Sequence, residues 1–390
     1  MRRTAAVTGI GVISCAGIGA GSFWDGLCRN DPEPEGTVQD FDPAEFLPPG
    51  QARRLDRVAQ LGLAAAQLAM DGAGGDRAGD PRRCGVVFGT GFGGLGSLEE
   101  QIRVHQRDGP RRVSAYTVPM VMPNAATAAI AARYGWQGPA ETISTACAAS
   151  THAITAAARL VETGRCQVVV AGGAEAARTP GGLAAFSKAG AVSAAKAGRP
   201  FDLNRDGFVL AEGAAALILE DLAHARARGV PVLAVILGGA STCDAYHVTA
   251  PRPDGSAAAY CMELALADAG AAASDVSHVN AHGTGTVPGD AAEAEALWQV
   301  FGAAQPPVTS IKGATGHSLG ASGAIEAVAS VMAIASRLVP PTAGHDAPDP
   351  GIRPLDVVAR HPRPAPDGLV LSNSFGFGGH NGSLVIGPPP

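Results

Sequence analysis

VTSIKGATGHSLGASGAIEAVASVMAIA, residues 308–335, runs from a short β-branched strand straight into an Ala-rich helix. An earlier stretch, ETISTACAASTHAITAAARLVETG at 141–164, has the same form. Laying Thr145-Ala146-Cys147 over Thr315-Gly316-His317 puts Cys147 and His317 at equivalent positions, each opening its helix. This match predicts that the chain contains two copies of one α/β unit.

The segments that precede these two stretches also repeat. In the first half a helical segment at 57–74 leads to the strand-like CGVVFGTG at 84–91, and in the second a helical segment at 260–270 leads to VSHVNAHGTG at 276–285. Other short Val- and Ile-rich runs alternate with Ala-rich helical segments throughout the chain. The class is therefore α/β, with strands buried on both faces.

Length and composition agree with a doubled unit. The chain has 390 residues, 46% hydrophobic and 16% charged, which predicts a globular protein larger than one ordinary core. We expect an N-terminal half at 1–230 and a C-terminal half at 231–390, joined near Gly229-Val230-Pro231. No low-complexity linker separates the halves, so close packing is expected.

Charge and cysteine content exclude several classes of partner. A net charge of −6, without a basic run interleaved with aromatics, argues against nucleic acid. Seven cysteines without a C-x-x-C pair predict neither a disulfide framework nor a metal site, and a reducing cytoplasm fits them best.

No membrane is expected either, because no apolar stretch reaches the ~18 to 20 residues that span a bilayer. The start, MRRTAAVTGIGVIS, imitates a secretory signal, but Thr8, Gly9 and Gly11 interrupt its apolar run. A buried strand entering a turn is the favoured interpretation.

Cys147 is a candidate nucleophile. It follows ETIST and precedes a helical pattern, so its thiol is expected at a helix N-terminus, where the dipole favours thiolate and the free N–H groups can hold an oxyanion. The alternative is a buried cysteine acting as a small hydrophobe, which is our interpretation of the other six.

Two further groups of polar residues follow strands. His282, in VNAHGTGTVPGD, enters a Gly-rich turn with Thr284 and Thr286, which either approach a substrate or form a capped turn. Lys312 and Glu326 flank His317, and Glu326 is isolated among small apolar residues, which favours a buried, paired role.

Gly316 to Gly320 also reads as the G-x-S-x-G turn of serine hydrolases, with Ser318 as its serine. That motif requires the strand to end at the serine, whereas Lys312-Gly-Ala-Thr-Gly intervenes, and the hydrolase hypothesis leaves Cys147 unexplained. The acids and histidines that such a triad would need do follow in order: Asp346, Asp349, Asp356, His361 and His380.

Four separated pieces, STACAAS, NAHGTGT, SIKGATGHSLGASGAIEA and NSFGFGGHNGSLV, resemble the β-ketoacyl-acyl carrier protein synthases, the elongating condensing enzymes of type II fatty acid and polyketide synthesis. The likeness runs essentially end to end. It implies the thiolase fold, with two βαβαβαββ-type halves stacked in five αβαβα layers, and a dimer of this chain with itself or with a chain length factor.

The resemblance also implies residue roles. Cys147 takes an acyl chain from carrier-protein phosphopantetheine, so the enzyme has no cofactor of its own, and His282 and His317 stabilise the malonyl-derived enolate. Lys312 and Glu326 support the site. The remaining implied roles are the oxyanion hole and gate at Phe377, the pantetheine contacts at Thr284 and Thr286, and the carrier-protein docking residues Arg53, Arg54, Arg111 and Arg112.

Several positions depart from that family's usual pattern. Phe92 replaces a smaller aliphatic residue of the acyl pocket, which predicts a shortened or redirected pocket. His380 and Gly190 also differ from the bacterial fatty-acid enzymes, which favours a specialised polyketide or polyene pathway over primary fatty-acid synthesis. A non-catalytic chain length factor is the alternative, but such subunits lack the cysteine found here.

Overall fold

The structure is a computed structural model that describes residues 3–32, 34–48, 50–75, 79–365 and 367–390. Its strands and helices form two successive sets. The first set comprises β1 (Ala5–Ser14), β2 (Gly17–Ile18), α1 (Ala20–Cys28), α2 (Arg57–Gly72), β3 (Cys84–Gly89), α3 (Leu95–Asp108), α4 (Thr117–Val121), α5 (Ala125–Tyr134), β4 (Ala140–Ile143), α6 (Ala149–Glu162), β5 (Val168–Glu175), α7 (Pro180–Lys188), β6 (Gly213–Asp221) and α8 (Leu222–Arg228).

The second set follows the left-handed Gly229 that ends α8. It comprises β7 (Ala234–Cys243), α9 (Ser256–Ala269), β8 (Val276–Asn280), α10 (Val287–Phe301), β9 (Val308–Thr309), α11 (Lys312–Thr315), α12 (Ser322–Ser336), β10 (Leu338–Val339), β11 (Arg363–Pro364), β12 (Leu369–Gly376) and β13 (His380–Gly387).

The two sets have the same sheet topology. The main sheet has the order β4-β3-β5-β6-β1-β7-β13-β12-β8-β9, so reading outward from the β1–β7 contact gives equivalent strands in each half. The equivalent pairs also agree in direction: β3 is parallel to β4 and β5, as β8 is to β9 and β12. The predicted duplicated α/β fold is confirmed, whereas the boundaries at 1–230 and 231–390 stay a prediction.

Three apolar cores define five layers. One core lies between α2, α5 and one face of the first half-sheet, and another lies between α9, α10 and the second half-sheet. The third surrounds α6 and α12, which lie between the two half-sheets. Alternate residues of β5 show the arrangement, because Val168 and Val170 face the first core while Val169 and Ala171 face the central one.

Two sequence interpretations are settled by burial. Ala5–Ser14 forms a central strand between β6 and β7, as predicted, and nine of its ten residues are buried. The expectation that no stretch reaches the length of a membrane span is wrong for Leu319–Ser336, an 18-residue helical stretch with a mean hydropathy of 1.5. That stretch is 78% buried inside the fold, because α12 packs between the two half-sheets, so it is a core helix.

The two strand-to-helix turns lie at equivalent places in the halves. Cys147 lies between β4 and α6, and His317 lies between β9 and α12. The residue before each has a positive φ, 50° at Ala146 and 66° at Gly316. This conformation turns the chain sharply and brings both side chains to the central layer; it is strained at Ala146, which is not a glycine.

Candidate active site

Cys147 and His317 meet across the interface of the two halves. Cys147 Sγ lies 3.1 Å from His317 Nε2, although the two residues are 170 positions apart in the chain. Both are buried, and the ring of Phe208 packs edge-on against His317 with centroids 4.9 Å apart. The doubled fold therefore makes one site from one turn of each copy.

The environment of the thiol differs from the one that its helix position predicts. Burial raises the pKa of Cys147 to about 12, and the Lys312 ammonium and a hydrogen bond from the Phe377 backbone N–H only partly oppose this. Burial and Lys312 also lower the pKa of His317 well below 6.5. The resting pair is a neutral thiol beside a neutral imidazole, so the predicted thiolate is not the resting state.

His282 completes a cluster of three. Its ring lies 5.4 Å from that of His317, centroid to centroid, at an interplanar angle of 82°. The turn that carries it is fixed by the Glu293 carboxylate, which accepts hydrogen bonds from the backbone N–H groups of His282 at 2.8 Å and Gly283 at 2.7 Å. Burial, then Lys312 and His317, lower the pKa of His282 well below 6.5.

Lys312 and Glu326 form a buried ion pair behind His282. Lys312 Nζ also lies 2.5 Å from the backbone oxygen of His282 and 3.3 Å from its Nδ1. Burial raises the pKa of the Glu326 carboxyl, and the ammonium opposes that rise. The sequence grouped this pair with His317, but Lys312 makes its hydrogen bonds to His282 and Glu326.

These contacts set the tautomers of both imidazoles. The Lys312 ammonium can only donate, so His282 Nδ1 accepts and its proton lies on Nε2. His317 Nδ1 lies 2.9 Å from Ser322 Oγ, and a hydroxyl that donates there leaves a proton on His317 Nε2 as well. Two neutral N–H donors are then available beside the sulfur.

A cavity of about 320 Å³ opens onto this cluster. Thr284 and Thr286 line it, with their hydroxyl oxygens 3.0 Å apart. Phe377 lines it too, and its ring lies 6.4 Å from that of Phe186. The cavity thus joins the reactive groups to hydroxyls and aromatic walls, as is usual for a ligand site.

The structure does not place every predicted residue at the cavity. Phe92 does not line it: the side chain is 47% exposed, and its ring contacts Phe186 edge-on at 6.0 Å. Arg54 lies over the ring of Tyr116 at 5.1 Å, four residues beyond the exposed Arg112. Arg53 and Arg111 are exposed as well.

The hydrolase triad is not assembled. Ser318 is buried and has no hydrogen bond to a histidine in the part of the chain that the structure describes. Two of the candidate acids are occupied elsewhere, Asp349 by Arg205 at 2.6 Å and Asp356 by Arg363 at 2.7 Å. The strand ends at Thr309, well before the serine, which removes the elbow geometry.

A metal could in principle use the same three side chains as the thiol chemistry. One ligating atom each from Cys147, His282 and His317 lie within 4.8 Å of one another. The Lys312 ammonium beside His282 disfavours a divalent cation, since like charges repel strongly in a buried site. The expectation of no metal site stays a prediction.

Sequence reasoning missed Ser322 and Glu293. Ser322 is the first residue of α12, five residues after His317, and the chain between them turns its hydroxyl back to the ring. Glu293 lies on α10 and reaches back to the His282 turn, a contact that depends on how that helix packs. No local pattern indicates it.

Two family profiles match the chain in succession. The profile described as "Beta-ketoacyl synthase, N-terminal domain" matches residues 30–225, and the one described as "Beta-ketoacyl synthase, C-terminal domain" matches residues 233–346. The first carries Cys147 and the second carries both histidines. The matched regions thus contain all three members of the cluster.

Relatives and solved structures of the same family match the chain over nearly its whole length. The chain is 42% identical to the 3-oxoacyl-[acyl-carrier-protein] synthase 2 of Synechocystis sp. over 99% of this chain and 98% of that protein. It superposes on the ishigamide ketosynthase/chain length factor with a TM-score of 0.93 and 32% identity. It superposes with a TM-score of 0.91 and 31% identity on a type II polyketide synthase acyl-carrier protein in complex with its hexaketide-bound ketosynthase, AntDE:AntF. Both structural matches cover 100% of each chain.

Proposed function

The chain belongs to the beta-ketoacyl synthase family, and from that membership we propose how its residues perform the reaction. It is a 3-oxoacyl-[acyl-carrier-protein] synthase, an acyltransferase that forms a carbon–carbon bond in a fatty acid or type II polyketide pathway. The observation that carries the residue assignment is the contact of 3.1 Å between Cys147 Sγ and His317 Nε2, with His282 beside them.

The first half-reaction is acyl transfer. Cys147 sulfur attacks the carbonyl carbon of an acyl group on carrier-protein phosphopantetheine, and the pantetheine sulfur leaves with the proton of the Cys147 thiol. The Phe377 N–H, which donates to Cys147 Sγ, and the N–H of Cys147 are our candidates for the oxyanion hole. Because His317 Nε2 carries its own proton in the tautomer assigned above, it faces the Cys147 sulfur as a donor and not as the acceptor of the thiol proton.

The second half-reaction joins the chains. A malonyl thioester loses CO2, and the two electrons of the broken bond form an enolate whose oxygen accepts hydrogen bonds from His282 and His317 Nε2–H. The enolate carbon attacks the Cys147 thioester, the sulfur leaves, and one proton from solvent restores the thiol. The products are a β-ketoacyl thioester on the carrier and CO2.

Lys312 and Glu326 act as positioning residues in this scheme. The ammonium donates to the backbone oxygen of His282 and faces its Nδ1, which orients the ring and fixes its proton on Nε2. The Glu326 carboxylate pairs with the ammonium and holds it in place. The pair therefore sets the electrostatics of His282 without touching the substrate.

We assign the pantetheine arm to Thr284 and Thr286, because both line the cavity that leads to Cys147. Arg53, Arg54, Arg111 and Arg112 are proposed as the surface for the acidic carrier protein, and all four are exposed. The phosphopantetheine belongs to the carrier, so no cofactor of the chain's own is assigned.

The proposed assembly is a dimer, either of this chain or with a chain length factor. The structural relatives include a ketosynthase/chain length factor. All seven cysteines are free thiols, which fits the reducing cytoplasm as the compartment.

Peptide mass spectrometry tests the assignment. After incubation with an acyl carrier thioester, we expect the acyl mass on the Cys147 peptide, and after malonyl carrier is added, a β-ketoacyl product. Cys147→Ala is expected to abolish both, while Cys166→Ala, at a buried cysteine that is remote from the cavity lining, is expected to retain both.

Two results contradict the assignment. Acyl mass on Ser318 would support the hydrolase hypothesis. Condensation by the Cys147→Ala variant would show that Cys147 is not the nucleophile. A wild-type chain that takes no acyl group at all, but activates a separate ketosynthase, would instead be a chain length factor.

A further inference from the structure

His152 is a histidine of α6 that no step of the reaction uses. It lies five residues after Cys147, is half-buried and does not line the cavity. Its Nδ1 lies 2.8 Å from the Thr145 hydroxyl oxygen, and its Nε2 lies 3.0 Å from the Asn381 backbone oxygen. Both ring nitrogens are therefore bonded to segments outside their own helix.

These two partners belong to the two segments that carry the proposed oxyanion donors. Thr145 lies two residues before Cys147, in the turn between β4 and α6. Asn381 lies in β13, the second strand of the hairpin whose turn carries Phe377. One imidazole thus joins the segment of the Cys147 N–H to the segment of the Phe377 N–H, although His152 and Asn381 are 229 positions apart.

The two segments pack backbone against backbone. A Cβ on Gly376, the residue before Phe377, would lie 3.0 Å from the Cys147 nitrogen and 3.0 Å from the Thr145 oxygen. A Cβ on Gly382 would lie 3.0 Å from His152 Nε2. Because the hairpin and the Cys147 turn are in such close contact, a shift of one against the other changes the spacing of the two N–H groups.

The Cys147 turn also contains a strained residue. Ala146, between Thr145 and Cys147, has a φ of 50°, which is unfavourable for a residue with a Cβ. Such a conformation persists only where the surrounding structure holds it. The bond between the Thr145 side chain and His152 is one such restraint at the start of this turn.

The contacts of His152 define its tautomer. The Asn381 carbonyl can only accept, so Nε2 carries the proton and donates it, and Nδ1 accepts from the Thr145 hydroxyl. Burial lowers the pKa of His152; the bond to Asn381 opposes this, and nearby His380 adds to it. The ring is therefore neutral, with one donor and one acceptor that both have partners.

We propose that His152 is a positioning residue that sets the spacing of the Cys147 and Phe377 N–H groups and so determines how strongly they bind the oxyanion of acyl transfer. This inference rests on the proposed condensing function. His152 acts through Thr145 and Asn381, and the substrate does not contact it.

His152→Phe tests the proposal, because it keeps an aromatic ring and removes both nitrogens. We expect the rate of Cys147 acylation at saturating acyl carrier thioester to fall about tenfold. The loss is smaller than the factor of about a hundred or more for removal of an oxyanion donor, because the donors are displaced and not removed. The thioester concentration that gives half the maximal rate is expected to stay unchanged, since His152 does not line the cavity.

The infrared spectrum of the acyl-enzyme separates this role from a general loss of structure. Hydrogen bonds to a carbonyl oxygen weaken the C=O bond and lower its stretching frequency. The band of an isotopically labelled thioester carbonyl on Cys147 is therefore expected at a higher frequency in His152→Phe than in wild type.

His224→Phe is the matched control. His224 is half-buried like His152, and its Nδ1 lies 2.8 Å from Glu220 Oε2 of β6. It also does not line the cavity, so both the acylation rate and the carbonyl band are expected to equal those of wild type.

Thr145→Val decides the matter if His152→Phe does not fold or takes no acyl group. It removes the hydroxyl that donates to Nδ1 and is expected to shift the rate and the band in the same directions. A folded His152→Phe, or failing that a folded Thr145→Val, whose acylation rate or carbonyl band equals that of wild type overturns the proposal, provided that wild type loads Cys147. A wild type that does not load Cys147 overturns the proposed function instead.

Discussion

At the scale of single residues, the chemistry depends on neutral groups that are held in chosen tautomers. Burial raises the pKa of Cys147 to about 12, and the Lys312 ammonium only partly opposes this rise. His282 and His317 are neutral for the same reason. Each imidazole is useful only if its proton is on the nitrogen that faces the substrate, so the partner of Nδ1 matters as much as the ring.

Ser322→Ala tests this at His317. The change removes the hydroxyl that lies 2.9 Å from Nδ1, so the ring proton can move from Nε2 to Nδ1. Nε2 can then no longer donate a hydrogen bond. We expect the rate of malonyl decarboxylation to fall about tenfold, the worth of one hydrogen bond of about 1.4 kcal/mol.

The control is Ser336→Ala on the same helix, where the hydroxyl bonds only backbone oxygens near the helix end. Decarboxylation is followed by release of labelled CO2 from malonyl carrier. Equal rates for Ser322→Ala and wild type would show that the serine does not set the tautomer.

Motifs predicted the residues of the site but not their protonation. Cys147, His282 and His317 were found because each follows a strand and opens a turn, a local pattern. The pKa of Cys147 depends on desolvation, which is set by side chains from both halves and has no local signal. The same holds for the Lys312 contact with His282, which joins residues 30 positions apart.

At the scale of elements, β8 carries a second buried histidine whose role is energetic. His278 is 2% exposed, and neither ring nitrogen has a hydrogen-bond partner within the described ranges. Burial lowers its pKa to about 3. The strand that presents His282 thus carries a side chain that the folded protein cannot readily protonate.

His278→Phe tests the consequence for stability. The folded pKa is below the unfolded value of about 6.5, so as pH falls from about 6.5 towards 3 only the unfolded chain gains the proton, and the free energy of unfolding falls. This residue contributes about 1.4 kcal/mol per pH unit to that loss. The variant is expected to reduce the slope between pH 6 and 4 by about this amount in urea unfolding.

His361→Phe, at an exposed histidine, is expected to leave the slope unchanged. If His278→Phe and wild type lose stability equally between pH 6 and 4, the histidine titrates in the folded state and its low pKa is refuted.

Strands were predicted better than the turns between them. The Val- and Ile-rich runs became β3, β5, β6, β7, β8 and β12, because strands that are buried on both faces are near-continuous apolar runs whether their neighbours are parallel or antiparallel. VTSI instead contributes only Val308–Thr309 as a strand, and Lys312–Thr315 forms a helical turn that the sequence did not predict. That turn brings Lys312 into contact with His282. The contact depends on tertiary packing, so no local sequence pattern predicts it.

At the scale of the whole molecule, one face of the first half is unusually apolar. The helix α3 buries none of its residues, and Leu98, Ile102, Val118 and Met122 are exposed large hydrophobic residues there. The neighbouring β4 is an edge strand of the main sheet. An exposed apolar face and an open sheet edge are where the subunit of the proposed dimer would pack.

The proposed carrier-protein surface poses an electrostatic problem, because a chain of net charge −6 would bind a partner that we expect to be acidic. Exposed arginines at 53, 54, 111 and 112 supply local positive charge, and Arg54 lies over the ring of Tyr116. Charges at the rim of an interface mainly raise the rate of association. Their attraction weakens as salt screens it, over a Debye length of about 10 Å at 0.1 M ionic strength.

Reversing both charges, with Arg111→Glu and Arg112→Glu together, is therefore expected to raise KM for acyl carrier protein about tenfold at low salt and to leave kcat for a small pantetheine thioester unchanged. Added salt should raise KM for wild type but lower it for the double variant, because screening now relieves repulsion. Arg226→Glu, at an exposed arginine of α8, shows the effect of a charge reversal elsewhere on the surface. If the double variant keeps the wild-type salt dependence while its KM is unchanged, carrier docking does not use this surface, and the arginines that the resemblance singled out have another role.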